Sequence, residues 1–266
     1  MSTAASRFAH RACAVLLLFA ISMAATFAGE IPLSERKSGY ALMSRETQKM
    51  QDERTSNPGT LWVLEGEAMW SQKAGSAGKS CADCHGRSGA SMKGVAVRYP
   101  AYDATQRRPI DLEQRINLCR TERQRASPFA YESKELLALS TFVATQSHGR
   151  KIEPPADKRL TPFRTAGREL FYVRQGQLNL SCAQCHNDNW GRKLSGAVIP
   201  QAHPTGYPLY RLEWQSLGSL QRRLRNCLIG MRAEPFEYGA PEYIALELFL
   251  MSRARGMRLE TPAVRP

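Results

Sequence analysis

Two short motifs in the chain combine thiols with a histidine at a fixed spacing. They span residues 81–85 (CADCH) and 182–186 (CAQCH). The shared pattern, C-x-x-C-H, is the attachment signature of c-type haem, in which the thiols form thioethers and the histidine binds the iron. A zinc site or a thioredoxin-like redox pair gives no reason for a histidine directly after the second cysteine. We therefore predict two covalently bound haem c groups (iron). The predicted attachment residues are Cys81, Cys84, Cys182 and Cys185, and the predicted proximal ligands are His85 and His186.

The similarity between the two halves of the chain extends beyond these motifs. Gly66 and Gly167 each precede the first haem cysteine of their half by 15 residues, and Cys119 and Cys227 each follow a basic segment. A repeat of this kind indicates a duplicated structural unit. The predicted organisation is a signal peptide at 1–28, an N-terminal arm at 29–60, a first domain at 61–150, a linker at 151–162 and a second domain at 163–266.

The apolar spacing favours helices in both halves. Residues 61–72 and 163–174 have helical periodicity without strand-like alternation. Segments 110–124 and 216–230 are predicted basic helices that reach the third cysteine of each half, and a last helix begins near Pro241 and corresponds to 133–146. The predicted fold class is all-α: two tandem cytochrome c-like domains with long loops around covalently bound haem.

The N-terminus has the features of a secretory signal peptide. Arg7 and Arg11 precede an apolar run over residues 12–25, and Ala28 is a small residue suited to cleavage. The run is shorter than the ~20 residues of a membrane-spanning helix, and no later stretch qualifies. We expect an exported, periplasmic protein without a membrane span, which agrees with haem c because that group is attached outside the cytoplasm.

The charge of the chain restricts its partners only broadly. Among 266 residues, 37 Lys and Arg stand against 24 Asp and Glu, for a formal net charge of +13. A hydrophobic content of 42% argues against wholesale disorder. A basic surface favours anionic substrates or acidic partners. No recognition motif accompanies the charge, so we expect no nucleic-acid partner.

The second axial ligand of each haem iron is predicted to be a cysteine. Met and His are the usual ligands in cytochromes, but neither recurs at equivalent positions outside the motifs, whereas Cys119 and Cys227 do. Two alternatives remain: a Cys119–Cys227 disulfide, which an oxidising compartment allows, and Met231 as ligand of the second haem. A thiolate ligand lowers the iron potential, which indicates chemistry at the sulfur.

Arginines surround the third cysteine of each half. Arg223 precedes Cys227 by four residues, so both side chains project from one helical face. Guanidinium groups lower a thiol pKa and bind oxyanions, which suits a small dianionic sulfur compound. They are equally suited to haem propionates or to solvent. Because Cys119 has a similar set, charge alone does not distinguish the reactive cysteine from a simple ligand.

The stretch QRRLRNCLIGMRAEPF, together with an upstream C-x-x-C-H, resembles SoxA, the dihaem subunit of the SoxAX cytochrome of the sulfur-oxidation pathway. The resemblance covers nearly the whole mature chain. It implies that Cys227 is the catalytic cysteine, carried as a persulfide, and that Arg223 binds the substrate. It implies His85 and Cys119 as axial ligands of the first haem, and His186 and Cys227 as those of the second.

The activity implied by the resemblance is L-cysteine S-thiosulfotransfer. Thiosulfate would be joined oxidatively to a cysteine of the SoxYZ carrier protein, and two electrons would leave through haem to a SoxX-type monohaem cytochrome c, the heterodimer partner. Three other functions remain open: a thiosulfate dehydrogenase forming tetrathionate, a plain dihaem electron-transfer cytochrome, and a dihaem peroxidase. The peroxidase needs an open iron position, which two His/Cys sites would not provide.

Overall fold

Helices joined by long loops make up most of the described part of the chain, residues 31–266 of a computed structural model. The predicted signal peptide at 1–28 lies outside this part. The α-helices within it are α1 (Arg45–Asp52), α2 (Gly59–Ser71), α3 (Cys81–His85), α4 (Ser88–Ser91), α5 (Leu112–Cys119), α6 (Lys134–Thr145), α7 (Thr161–Tyr172), α8 (Cys182–His186), α9 (Leu220–Gly230) and α10 (Pro241–Arg253).

Short strands also occur between residues 31 and 266, so the expectation of an all-α fold is incomplete. They are β1 (Ala101–Asp103), β2 (Arg108–Ile110), β3 (Lys193–Leu194), β4 (Ala197–Val198), β5 (Leu209–Arg211), β6 (Ser216–Gly218) and β7 (Ala263–Arg265). β1 pairs with β2 and β3 with β4 as antiparallel hairpins, while β5 pairs antiparallel with β6 and parallel with β7. Strands of two or three residues are too short to show alternation in a sequence.

The predicted helices are present, with some shifted ends. The helices expected at 61–72 and 163–174 are α2 and α7, and those expected at 133–146 and from Pro241 are α6 and α10. The two basic helices begin later than expected, because the residues before them form β2 and β6. Their starts are set by N-caps: Asp111 accepts a hydrogen bond from the Gln114 amide, and Ser219 accepts one from the Arg222 amide.

Each half is built on a close helix crossing. α2 crosses α6 at Gly66, and α7 crosses α10 at Gly167. A Cβ at Gly66 would overlap the backbone carbonyl of Ala138, and a Cβ at Gly167 would overlap that of Ala245. The absence of a side chain therefore lets two backbones touch, which explains why glycine recurs at this position of the repeat.

The two halves share an interface within one compact unit, residues 31–266. Val97 and Ile152 pack in one apolar cluster with Met251 and Ala254. The Tyr131 and Tyr238 rings stack with centroids 5.9 Å apart. Apolar and aromatic contacts therefore join the first half to the second.

The N-terminal segment lies against the end of the chain. The Gln51 side-chain oxygen accepts hydrogen bonds from the Val264 amide at 3.0 Å and from the Arg265 guanidinium at 2.6 Å. Asn57 donates to the Pro262 carbonyl at 2.9 Å. The segment before α2 thus stabilises β7, whose neighbour in the sheet is β5.

Three carboxyl groups lie together between the halves: Asp111 and Glu247 are buried, and Glu113 is half-buried. Burial raises the pKa of Asp111 to about 6, although its oxygens accept hydrogen bonds from the Gln114 amide and the Tyr131 hydroxyl. Burial and the charge of Asp111 raise the pKa of Glu113 to about 8. The same two causes raise the pKa of Glu247. This interface therefore holds protonated carboxyl groups at neutral pH.

We predict that Gly167→Ala lowers the free energy of unfolding by about 1–3 kcal/mol, because the new methyl group forces α7 and α10 apart. Chemical denaturation monitored by circular dichroism measures this change. Gly89→Ala is the matched control, since a Cβ there would meet only the Gln146 side chain at 3.7 Å. Equal stability of Gly167→Ala and wild type would contradict the close crossing.

The pH dependence of stability gives a second prediction. The pKa of Glu113, about 8 in the folded chain, exceeds the ~4.3 of an unfolded glutamate, so its contribution is full below ~4.3 and is lost as pH rises through 8. Glu113→Gln should therefore gain at least about 1 kcal/mol relative to wild type between pH 5 and pH 8. Denaturation at both pH values measures the difference, and parallel profiles would contradict it.

Candidate active site

Each C-x-x-C-H motif forms a short helix with the same N-terminal hydrogen bonds. In α3, Ser80 accepts from the Asp83 amide while Asp83 accepts from the Ser80 amide. In α8, Ser181 and Gln184 form the same reciprocal pair. This capping box fixes one turn of helix. The turn begins at the first cysteine of each motif and ends at its histidine.

An aromatic residue from the preceding long helix lies against each motif histidine. The Trp70 ring centroid lies 5.8 Å from that of His85, and the Phe171 ring centroid lies 6.5 Å from that of His186. Trp70 and Phe171 are buried. They occupy equivalent places at the ends of α2 and α7, so the helix crossings determine where the motifs lie.

The hydrogen bond of His186 suits an iron ligand. Its Nδ1 lies 2.6 Å from the Pro200 carbonyl oxygen, which can only accept, so Nδ1 carries the proton and the Nε2 lone pair is free. Burial lowers the pKa of His186 to about 4, which keeps the ring neutral. Two thiols, an oriented imidazole and a nearby third cysteine form a donor set that fits haem c.

The third cysteine of each half lies beside the motif of its own half. Burial and the neighbouring Cys119 raise the pKa of Cys81. Burial and the neighbouring Cys227 raise the pKa of Cys182 to about 12. All six cysteines between residues 31 and 266 are free, so the structure contains no Cys119–Cys227 disulfide.

The other ligand candidates have structural contacts. Nδ1 of His148 lies 3.0 Å from the Thr261 carbonyl oxygen, and Nδ1 of His203 lies 3.1 Å from that of Lys37. Met231 is buried in an apolar cluster that includes Phe171. These contacts account for the positions of all three side chains without an iron; His203 and Met231 are buried, whereas His148 is exposed.

Arg223 and Cys227 lie together on α9, four residues apart and therefore on one face. Burial lowers the pKa of Arg223, whereas the neighbouring Cys227 raises it, and the pKa is raised overall. No carboxylate within residues 31–266 forms an ion pair with Arg223. A half-buried guanidinium beside a thiol, without a carboxylate partner, is suited to binding an anion.

The other arginines of α9 have protein partners. Arg222 donates to the Ser216 hydroxyl at 3.2 Å and lies 4.3 Å from the Trp214 ring centroid. Arg225 donates to the Phe236 carbonyl. These contacts distinguish both residues from Arg223, a distinction that the sequence alone did not provide.

In the first half, the equivalent arginine is already neutralised. Arg115 forms an ion pair with Asp103, which is buried. Burial raises the pKa of the Cys119 thiol even though Arg115 acts to lower it. The structure thus separates two environments that look alike in the sequence, and the second half has the site suited to an anion.

Sequence analysis did not single out two further residues, which are Tyr207, close to Cys227, and Arg211, close to Arg223 and Tyr207. The charges of Arg223, Arg211 and Cys227 all act on the pKa of Tyr207, which burial raises. Tyr207 and Arg211 belong to the segment leading into β6. The repeated Tyr-Pro pair at 99–100 and 207–208 is the signal that could have found this segment.

Comparisons with known proteins agree with these features. A family model described as the SoxA/TsdA cytochrome c domain matches residues 65–152 and 166–259. A crystal structure of SoxXA from P. pantotrophus superposes with a TM-score of 0.83 at 31% identity, covering 87% of each chain. The fold is thus a cytochrome c domain fold, which implies covalently bound haem c. No helix between residues 31 and 266 combines the length and apolarity of a bilayer span.

Sequence relatives point to the same family. The L-cysteine S-thiosulfotransferase subunit SoxA of Pseudaminobacter salicylatoxidans is 37% identical over 235 residues, covering 88% of this chain and 82% of that protein. Its namesake from Rhodovulum sulfidophilum is 35% identical over 231 residues, covering 87% and 80%. With the family model, the shared fold and these relatives in agreement, the chain belongs to the SoxA family of cytochromes c.

Proposed function

We propose that the chain is an L-cysteine S-thiosulfotransferase subunit that joins thiosulfate oxidatively to a cysteine of a SoxYZ-type carrier protein. The observation that carries this proposal is the pair Arg223 and Cys227 on one face of α9. It combines a half-buried guanidinium without a carboxylate partner and a thiol beside the second C-x-x-C-H motif. The names of the relatives support the same activity.

The proposed architecture is two tandem cytochrome c-like domains, 61–150 and 163–266, joined by a linker at 151–162. Each would carry one haem c, attached through Cys81 and Cys84 or through Cys182 and Cys185. The equivalent capping boxes of α3 and α8 support a haem in each half. His85 and Cys119 would hold the iron of the first haem, and His186 and Cys227 would hold that of the second.

The proposed reaction balances as an oxidative coupling. A carrier thiol and thiosulfate lose one proton and two electrons, and a bond forms between the two sulfurs. When bound, haem c supplies one-electron acceptors at these motifs. Arg223 holds the dianion and offsets its charge as it approaches. Cys227, proposed to act as a persulfide, fixes the reacting sulfur in place.

The proposed partners are a SoxX-type monohaem cytochrome c, in a heterodimer, and SoxYZ as the protein substrate. The matching P. pantotrophus structure is a SoxXA complex, which supports the first partner. The predicted signal peptide supports a periplasmic location, where haem c is attached.

We expect intact-protein mass spectrometry of the exported chain to show two covalent haem groups, because both halves provide a complete attachment turn. Replacing Cys182 and Cys185 by Ala should remove one haem, and replacing Cys81 and Cys84 should remove the other. Peptide mapping should find an added sulfur atom on the Cys227 peptide. A single haem in the wild type would contradict the dihaem proposal.

Cys227→Ala should reduce thiosulfate conjugation to SoxYZ by about 10³-fold or more, because the sulfur that fixes the reaction is lost. The assay measures the mass of the carrier after incubation with thiosulfate and an oxidised acceptor cytochrome. Arg222→Gln is the matched control, since its guanidinium contacts Ser216 and Trp214, and it should keep full activity.

Two outcomes would contradict the proposed function. Tetrathionate formed without SoxYZ would identify a thiosulfate dehydrogenase. A Cys227→Ala variant with an altered spectrum and undiminished conjugation would mean that Cys227 serves only as a ligand, as in a plain electron-transfer cytochrome.

A further inference from the structure

Each half contains a hairpin that is followed by the helix carrying its third cysteine. β1 and β2 pair Asp103 with Arg108, and β5 and β6 pair Arg211 with Ser216 in the same register. Every equivalent residue of these hairpins and of the following helices is 108 positions apart, including Cys119 and Cys227. Asp103 and Arg211 therefore occupy the same structural position.

The residue at this position has opposite charge in the two halves. In the first half, Asp103 forms an ion pair with Arg115, the arginine four residues before Cys119. In the second half, the equivalent of that pair is Arg211 with Arg223, two like charges. Burial lowers the pKa of Arg211, and the charge of Arg223 lowers it further, so the two guanidinium groups are close enough to repel each other.

Arg211 retains hydrogen-bonding capacity. Its side chain is 14% exposed and donates through Nη2 to Glu213 at 2.9 Å. Its Nε is buried and has no hydrogen-bond partner. Glu213 is 62% exposed, so this ion pair is largely solvated and offsets the positive charge only weakly. Two neighbouring, half-buried like charges, one of which has an unused donor, are stabilised by an anion bound between them.

We propose that Arg211 is a second substrate-binding guanidinium, which together with Arg223 holds the sulfonate end of thiosulfate beside Cys227. This inference rests on the proposed function for the identity of the anion. Three sulfonate oxygens can accept from two guanidinium groups at once, which leaves the outer sulfur free to face the thiol. The first half, with Asp103 in place of Arg211, has no such site.

Isothermal titration of the oxidised holoprotein with sodium sulfate tests the anion site without turnover. Sulfate carries the charge and three-oxygen face of thiosulfate and is not oxidised. Arg211→Gln should weaken sulfate binding, and raise the KM for thiosulfate, by about 10- to 100-fold, the effect of losing a charge-assisted hydrogen bond. The kcat should change little, because the bond holds substrate and transition state alike.

Matched variants distinguish the effect of the Arg211 charge on anion binding from an effect on folding. Arg211→Asp restores the Asp–Arg pair of the first half and should abolish measurable sulfate binding, whereas Arg211→Lys should recover most of it. Asp103→Asn, at the equivalent position of the first half, should leave the sulfate affinity and the KM unchanged. Haem content and absorbance spectra verify that each variant is folded.

Three outcomes are decisive. Unchanged sulfate affinity and KM in Arg211→Gln would overturn the inference. A shifted haem potential with unchanged sulfate affinity would also overturn it, because Arg211 would then serve a haem propionate. If the wild type binds sulfate through Arg211 but does not conjugate thiosulfate to SoxYZ, the anion site stands and the proposed function fails.

Discussion

The contact on which the rest of the structure depends is the backbone-to-backbone crossing of the long helices in each half. Gly167 brings α7 against the carbonyl of Ala245, and the ring of Phe171 then lies 5.4 Å from that of Phe249 on α10. Phe171 in turn contacts His186. The first half repeats this arrangement from Gly66 to Trp70. The positions of the haem-binding motifs thus follow from helix separations that a single methyl group would change.

The long helices and the two C-x-x-C-H turns could be predicted from the sequence because they depend on local patterns. Helical periodicity predicted α2 and α7, and the C-x-x-C-H spacing predicted the two attachment turns. Strands β1, β2, β5 and β6 could not be predicted, since their three-residue pairings depend on tertiary contacts. The ion pair that Arg115 forms and Arg223 lacks could not be predicted either. It depends on a residue 12 positions earlier, which only the hairpin brings into contact.

The repeated helices and hairpin provide two equivalent positions for an arginine beside a cysteine. The two positions differ because one arginine has an aspartate neighbour and the other has an arginine neighbour. An arginine that is paired with Asp103 costs little to bury, and its half can serve as a structural and electron-transfer unit. A half-buried Arg223 beside the like charge of Arg211 lowers the stability of the protein without a bound anion. Such a cost is typical of binding sites, where the ligand supplies the missing charge.

The N-terminal segment and β7 have a further consequence for the order of folding. Gln51 bonds to residues 213 and 214 positions later in the chain. β7 in turn pairs with β5, placing Arg265 beside Arg211. Contacts of such separation form late, because their loop-closure entropy is the greatest. During synthesis the segment that supports this sheet emerges long before β7, its partner. The proposed anion site therefore forms only after β7 has emerged, which is later than both C-x-x-C-H turns.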